Sequence, residues 1–381
     1  MRKKSAIACV IMVIILLGLV TPALASAELE TVKADAYILT DADSGKILLA
    51  KNENKRLPPA SMTKLMTMLL AVEALEEGRA TLKEKVTTSE NASKMGGSQI
   101  YLAPGEEMTF EDMLIAIAVG SANDASVAVA EKLEGTHKNF VDKMNARARE
   151  LGMKNTQFIN SNGLPAEGHY TTVADMAILA RAALQHPRIL EYSSIKEYPL
   201  RGGKFILYNT NKLLWWYKGA DGFKTGRTEE AKNCLTSTVK RDGLRLIAVV
   251  MASPETRGHF RDSMELYNYG FARYAYKTFV PRNKVCGVVK VGKGNLDQVR
   301  AVAKEDIGSL FIKGEKAKIT SKQILLKYVE APISKGEKLG EVQIFKNGTK
   351  IKSVDLIASQ DVERGGIIRQ IKKMFVETYQ L

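Results

Sequence analysis

Pro58-Pro59-Ala60-Ser61-Met62-Thr63-Lys64, with the apolar run from Leu65 to Val72 behind it, is the stretch on which the reading of this chain turns. Two prolines cannot continue a helix, whereas Met62, Leu65, Met66, Leu69 and Leu70 recur at three-to-four spacing, so a helix is expected from near Ser61 to about Glu77, with Gly78 as its stop. Ser61 and Lys64 then share one turn and one face at the positive end of the helix dipole. A serine hydroxyl is a weak nucleophile until a neighbouring base takes its proton, and burial beside other cations lowers a lysine pKa toward the neutral amine. This pattern points to acyl transfer through Ser61. Ser193 to Lys196 and Ser237 to Lys240 repeat the spacing and are read as accidents, the second because it falls in an alternating, strand-like run.

Upstream, Ala36–Thr40 and Lys46–Ala50 alternate around Asp41-Ala42-Asp43-Ser44-Gly45 and read as a hairpin feeding the Ser61 helix. Before it, Met1-Arg2-Lys3-Lys4, the apolar stretch Ala6 to Val20 and Ala23-Leu24-Ala25-Ser26-Ala27 form a secretory signal peptide, residues 1–25 if cleavage follows Ala25, with Ala27 equally plausible as the cleavage point. The mature chain is therefore expected outside the cytoplasm. Losing Arg2, Lys3 and Lys4 lowers the formal charge from +14 to +11. For a secreted protein that excess favours anionic lipid or cell-wall surfaces; no nucleic-acid motif accompanies it. Cys9 leaves with the signal, and Cys234 and Cys286, placed in different domains, are expected as two buried thiols.

Downstream, Thr109 and Asp112 open a helix from Phe110 to Val119, which breaks at Gly120-Ser121-Ala122-Asn123-Asp124 and resumes from Ala125 to Leu133. Further helices are expected at Phe140–Leu151 and at Val173–Leu184, the latter stopped by Pro187. Phe223–Thr225, Cys234–Val239 and Leu244–Met251 read as consecutive antiparallel strands, with a helix from about Asp262 to Tyr276 packing back onto them. The first domain, residues 28–276, is thus an α/β arrangement with an antiparallel sheet between helical layers. Residues 277–360 break into short alternating runs, among them Ile324–Val329, and read as a small all-β domain with no catalytic cluster. In residues 362–381, Ile367, Ile368, Ile371, Met374 and Phe375 share one helical face opposite Arg369, Gln370, Lys372 and Lys373, the pattern of a helix lying in a membrane interface.

Three polar groups therefore stand in order: Ser61 with Lys64, Ser121 with Asn123 in a break between apolar helices, and Lys224-Thr225-Gly226. On this trio, and on Ala36–Leu75, Gly97–Gly135, Asn160–Met176 and Asn209–Cys234, the chain resembles the low-molecular-mass penicillin-binding proteins that are serine-type D-alanyl-D-alanine carboxypeptidases. The resemblance implies a penicillin-binding fold with a C-terminal β domain and an amphipathic membrane anchor. It makes Ser61 the acylated nucleophile and Lys64 its base. Ser121 would relay a proton to the leaving amine and Asn123 would hold the substrate amide. Lys224 and Thr225 would bind the terminal carboxylate, with Lys224 helping to keep Lys64 neutral. Gly226 would leave room for the substrate along the strand edge, and the backbone N–H groups of Ser61 and Arg227 would form the oxyanion hole. Arg227 departs from the smaller or aromatic polar residues usual there, and His259 stands where many relatives carry arginine.

The resemblance also implies peptidoglycan pentapeptide stems and β-lactams as ligands, and no cofactor. A β-lactamase shares the trio but needs a rapid deacylating base, and Phe158–Pro165 carries Asn160-Ser161-Asn162-Gly163 with no acid. D,D-endopeptidase activity stays open on the same trio, and a non-catalytic wall-binding role is the reading furthest from it. No metal site is expected, because His137, His169, His186 and His259 lack ligand spacing; His169 is read as entering the helix that follows, and Asp124 as capping its own.

Overall fold

A computed structural model describes residues 29–371. The expected signal peptide and residues 372–381 of the expected terminal helix lie outside them.

The centre of the first domain is a five-stranded sheet made of β1 (Ala36–Asp41), β2 (Ile47–Lys51), β3 (Ala220–Thr228), β4 (Lys232–Arg241) and β5 (Leu244–Ser253). Its order is β2-β1-β5-β4-β3 and every pair is antiparallel. Tyr37 sits opposite Val250 and Ile38 opposite Val249, so the first hairpin is closed by a strand more than two hundred residues away. Side chains alternate between two apolar layers. Ala36, Ile38, Ile247, Val249 and Met251 face the helical block, while Tyr37, Leu39, Leu246, Ala248 and Val250 face the other way. That second face is covered by the helix Gly258–Arg273 through Phe260, Leu266 and Tyr267. The expected sheet between helical layers is what forms.

The Ser61 segment is the heart of the helical block. A 3-10 turn, Ala60–Thr63, leads into α1, Lys64–Glu76, whose buried positions lie on all sides. A helix apolar all round belongs inside a domain. Around it pack Phe110–Ile115, Asn123–Glu134, His137–Leu151 and Val173–Ala183. Thr109 and Thr172 cap their helices by accepting the backbone N–H of Asp112 and Asp175, as the sequence suggests. Pro187, expected only as a stop, instead opens a short helix at its first position, where its missing N–H costs nothing.

The helix expected to reach Tyr276 ends at Arg273, because Tyr274–Val280 is a strand paired with Ile307–Ile312. Tyr274 and Tyr276 alternate onto the second core, and that strand leads into the C-terminal domain. There a six-stranded sheet runs in the order Ile319–Leu325, Lys338–Lys346, Thr349–Ala358, Gln298–Ala303, Val285–Gly292, Tyr328–Glu330. The single run expected over Ile324–Val329 is therefore two strands on opposite edges of that sheet. Cys234 is buried as expected, but Cys286 is only half-buried.

Candidate active site

Ser61 sits in the 3-10 turn, and Lys64, fully buried at 0% exposure, begins α1 beneath it. Lys64 Nζ lies 2.9 Å from Ser61 Oγ, 2.6 Å from Asn123 Oδ1 and 2.6 Å from the carbonyl oxygen of Asn162. Two of these partners can only accept. A neutral amine has two N–H groups and one lone pair, so donating to Asn123 and Asn162 aims the lone pair at the Ser61 hydroxyl. Burial, and then repulsion from the Lys224 cation, hold the Lys64 pKa well below its ordinary value; Asp124 opposes them. The amine is thus desolvated and held within hydrogen-bond reach of the Ser61 hydroxyl.

Ser121 and Asn123 come from the break between two buried helices. The chain leaves Phe110–Ile115 through a π turn, Ala116–Gly120, and Ser121 adopts a left-handed conformation at φ 61°. Such a conformation costs a non-glycine residue on the order of 1–3 kcal/mol and survives where surrounding structure enforces it. The enforcement is visible: Asp124, wholly buried, accepts the backbone N–H groups of Ile100 and Leu102 as well as that of Ala125. Asp124 therefore does more than cap its helix, since it ties the Ile100–Leu102 loop to the break. Asn123 Nδ2 donates to the carbonyl of Gly96 at 2.6 Å, so both ends of this amide are engaged in fixing Lys64 and the site wall.

The third group lies on β3, the outermost strand of the sheet on the side of the Ser61 turn. Lys224 is 1% exposed, and burial pushes its pKa down to about 7. The Thr225 hydroxyl donates to Thr210 Oγ1 at 2.8 Å. Gly226 has a packing reason beyond the expected one. A Cβ there would stand 2.8 Å from Pro59 O and 3.2 Å from the Met62 nitrogen, so the glycine also lets the strand meet the Ser61 turn. Arg227 is exposed.

Sequence reasoning misses the loop under the lysine. It takes Asn160-Ser161-Asn162-Gly163 only as a stretch without an acid, yet Asn162 supplies a carbonyl to Lys64, and Thr67 donates to the carbonyl of Ser161 at 2.6 Å. Gly163, at φ +84°, lies so close that a Cβ would collide with Ala60 O. His169 also has a larger part than entering a helix. Its Nδ1 accepts the Ile159 N–H, which places the proton on Nε2, and Nε2 is 2.9 Å from the hydroxyl of Thr63, between Ser61 and Lys64. Burial pushes its pKa down to about 4. The signal that could have found both is the run of small and amide residues 160–163 just ahead of a lone histidine.

His259 is likewise buried, with its pKa pushed down to about 4, so it carries no charge near neutral pH. The accidental pairs are explained. Ser193 and Ser237 are buried while Lys196 and Lys240, three residues along, are exposed. Among the described residues no three His, Cys, Asp or Glu side chains group as metal ligands, and no helix is long and apolar enough to cross a membrane.

Comparison with known proteins follows the same division. Residues 23–255 match the family described as D-alanyl-D-alanine carboxypeptidase, and residues 274–364 match the C-terminal domain of penicillin-binding protein 5. D-alanyl-D-alanine carboxypeptidase DacF of Bacillus subtilis is 43% identical over 345 residues, covering 90% of this chain and 89% of that one. Penicillin-binding protein 5 of Haemophilus influenzae superposes with a TM-score of 0.67 at 31% identity, covering 87% of this chain and 98% of its own. Penicillin-binding protein D2 of Listeria monocytogenes, in its ampicillin-bound form, superposes with a TM-score of 0.59 at 30% identity, covering 64% and 100%.

Proposed function

Because the chain belongs to the D-alanyl-D-alanine carboxypeptidase family of penicillin-binding proteins and is a serine-type enzyme of that family, we propose that Ser61 is its acylated residue and Lys64 the base that activates it. The observation that carries this assignment is the three-point setting of Lys64 Nζ, which leaves its lone pair for Ser61. Ser61 Oγ attacks the carbonyl carbon of the penultimate D-alanine as its proton passes to Lys64. The backbone N–H groups of Ser61 and Arg227 receive the oxyanion. The C–N bond breaks, and the leaving D-alanine takes a proton relayed through Ser121. Water, deprotonated by the same base, then cleaves the Ser61 ester.

Lys224 and Thr225 hold the substrate's terminal carboxylate. A carboxylate arriving beside Lys224 raises the lysine pKa again, so binding restores its charge and strengthens the repulsion that keeps Lys64 neutral. Pentapeptide stems of peptidoglycan are the substrate and β-lactams the slow-clearing mimics in this reading.

The protein acts at the outer face of the cell membrane, on the strength of the leader-like residues 1–25 and of the C-terminal segment. Ile367, Ile368 and Ile371 point outward at 77%, 84% and 48% exposure, while Arg369 pairs with Asp297 and donates to the carbonyl of Gly294. A helix packed on its own domain would turn the isoleucines inward. Its apolar face suits a bilayer interface. Deleting residues 362–381 is expected to release the protein from membranes.

The test of the chemistry is intact-mass spectrometry of the mature protein and Ser61→Ala after penicillin exposure, followed in time beside D-alanine release from a diacyl-D-Ala-D-Ala peptide. An adduct on the unaltered protein alone, clearing slowly, with D-alanine release, is the expected result. Rapid penicillin turnover without a lasting adduct would replace this reading with a β-lactamase.

A further inference from the structure

The positive charge of the mature chain is not spread along it. Residues 26–276 hold 32 Lys and Arg against 31 Asp and Glu, whereas residues 277–381 hold 21 against 11. Nearly all of the excess therefore belongs to the part of the chain that carries no catalytic group.

Within that part the sheet forms a cleft of about 770 Å³ whose walls bear four cations: Arg282, Arg300, Lys304 and Lys335. All four are exposed, and none forms an ion pair among the described residues. Most carboxylates close by in sequence are already held by hydrogen bonds or an ion pair, Asp306 and Asp361 by the backbone of cleft residues themselves. Asp306 accepts the backbone N–H of Arg282 and Asp361 that of Lys335, Glu337 accepts the N–H of Ser334, and Asp355 pairs with Lys338. Glu305 lies within reach of the Lys352 charge. Arg300 and Val302 alternate along the strand Gln298–Ala303 and Lys304 follows just past its end, so the two cations, four residues apart, stand up to roughly 13 Å from each other. One phosphate cannot bridge that distance. An extended chain bearing a charge at each repeat can. No aromatic side chain lines the cleft, which removes the stacking platform that a nucleic acid strand would use. Its concavity suits a linear polymer better than a flat bilayer.

We propose that this cleft is a binding site for a linear phosphodiester polymer without bases, holding the enzyme against an anionic component of the wall in which its substrate lies. Arg300 and Lys304 track the polymer's phosphates along the central strand, and Arg282 and Lys335 close on it from the two flanking sides, by charge and guanidinium hydrogen bonding. The assignment does not depend on the chemistry at Ser61.

The experiment uses the full mature chain and a synthetic poly(glycerol phosphate) of about ten units as probe, with binding measured by calorimetry over a salt series. Replacing Arg282, Arg300, Lys304 and Lys335 together by Gln is expected to weaken binding at least about 30-fold and to flatten its salt dependence. The control replaces Lys316, Lys322, Lys327 and Lys350 by Gln, an equal charge loss on exposed positions outside the cleft, and is expected to cost less than about threefold. Release of D-alanine from the small peptide should be unchanged in both, which shows that the fold is kept. Equal losses in the two variants, or no binding by the unaltered protein, would overturn the proposal. So would a cleft variant that keeps the polymer but loses phosphatidylcholine vesicles containing 30% phosphatidylglycerol, since that result would make lipid the occupant.

Discussion

Lysines do opposite work in the two halves of the molecule. Lys64 and Lys224 are 0% and 1% exposed, and burial lowers the pKa of both, that of Lys64 well below its ordinary value and that of Lys224 to about 7. Lys304 and Lys335 stand in water at the mouth of a shallow cleft, where their worth is the charge itself. The same side chain is stripped of solvent in one domain and left exposed to it in the other. What distinguishes the domains is therefore the depth at which the sequence sets its cations more than their number.

The sharpest way to break this contrast is Lys→Arg on each side. A guanidinium stays protonated and cannot accept the Ser61 proton, so Lys64→Arg is expected to slow penicillin acylation by about 10³-fold, within the range typical of lost general-base catalysis. Stopped-flow acylation with intact-mass readout measures it. Lys304→Arg should leave both acylation and polymer binding within about twofold. Near-normal acylation by Lys64→Arg would mean that another group takes the proton.

A second contrast sets two glycines with the same backbone against each other. Gly163 and Gly348 both adopt φ +84°, but a Cβ on Gly163 would collide with Ala60 O, whereas Gly348 has nothing within 4 Å. Alanine at Gly348 bears only the left-handed penalty, about 1 kcal/mol. At Gly163 it must also displace the turn that carries Ser61, and we expect a loss of about 3 kcal/mol or more together with most of the activity. Urea unfolding of the two variants, with acylation rates beside it, tests the difference. Equal losses would mean that the loop moves aside freely.

How far the site is legible in the sequence follows the same line between local and distant causes. The Ser61–Lys64 pair is readable because helical periodicity fixes neighbours three residues apart, and β4 and β5 because alternation and the Asp242-Gly243 turn are local signals. Asn162 and His169 are not, since they reach the nucleophile's turn across 98 and 106 residues and nothing near them in sequence states the partner. Gly226 stands out in the sequence but its packing reason does not, because the surface it meets, Pro59 to Met62, comes from a loop joined only through the sheet. The basic cleft escapes a linear reading because its cations are scattered from Arg282 to Lys335 and converge only when strands pair.

The titration of Lys224 separates buried from exposed charge more gently. Its folded pKa of about 7 lies below the ordinary lysine value, so above pH 7 the free enzyme loses the cation proposed to receive the substrate carboxylate. We expect kcat/KM for a D-Ala-D-Ala peptide to fall by up to tenfold per pH unit beyond that point, and the fall to vanish for the C-terminal amide or in Lys224→Arg. Stability has the opposite slope. Between about pH 7 and the ordinary lysine value the unfolded chain holds a proton that the folded one has released, so this group makes folding more favourable as pH rises. An alkaline limb shared by the amide substrate would assign it to some other residue.

The smallest effect is expected where the two domains touch. Lys352 Nζ lies 2.9 Å from both carboxylate oxygens of Asp43, joining the C-terminal sheet to the first hairpin. With the partners 20% and 41% exposed, solvent screens the pair, and such contacts are worth about 1 kcal/mol or less. Apolar burial does more there, since Tyr274, Tyr276 and Leu310 pack against the second core of the catalytic domain. Lys352→Ala should therefore change stability by less than about 1 kcal/mol and leave D-alanine release untouched, whereas Tyr276→Ala should cost about 2 kcal/mol. A larger loss from Lys352→Ala than from Tyr276→Ala would mean that the domains are held by charge after all. The basic half would then use its lysines to grip the enzyme as well as the wall.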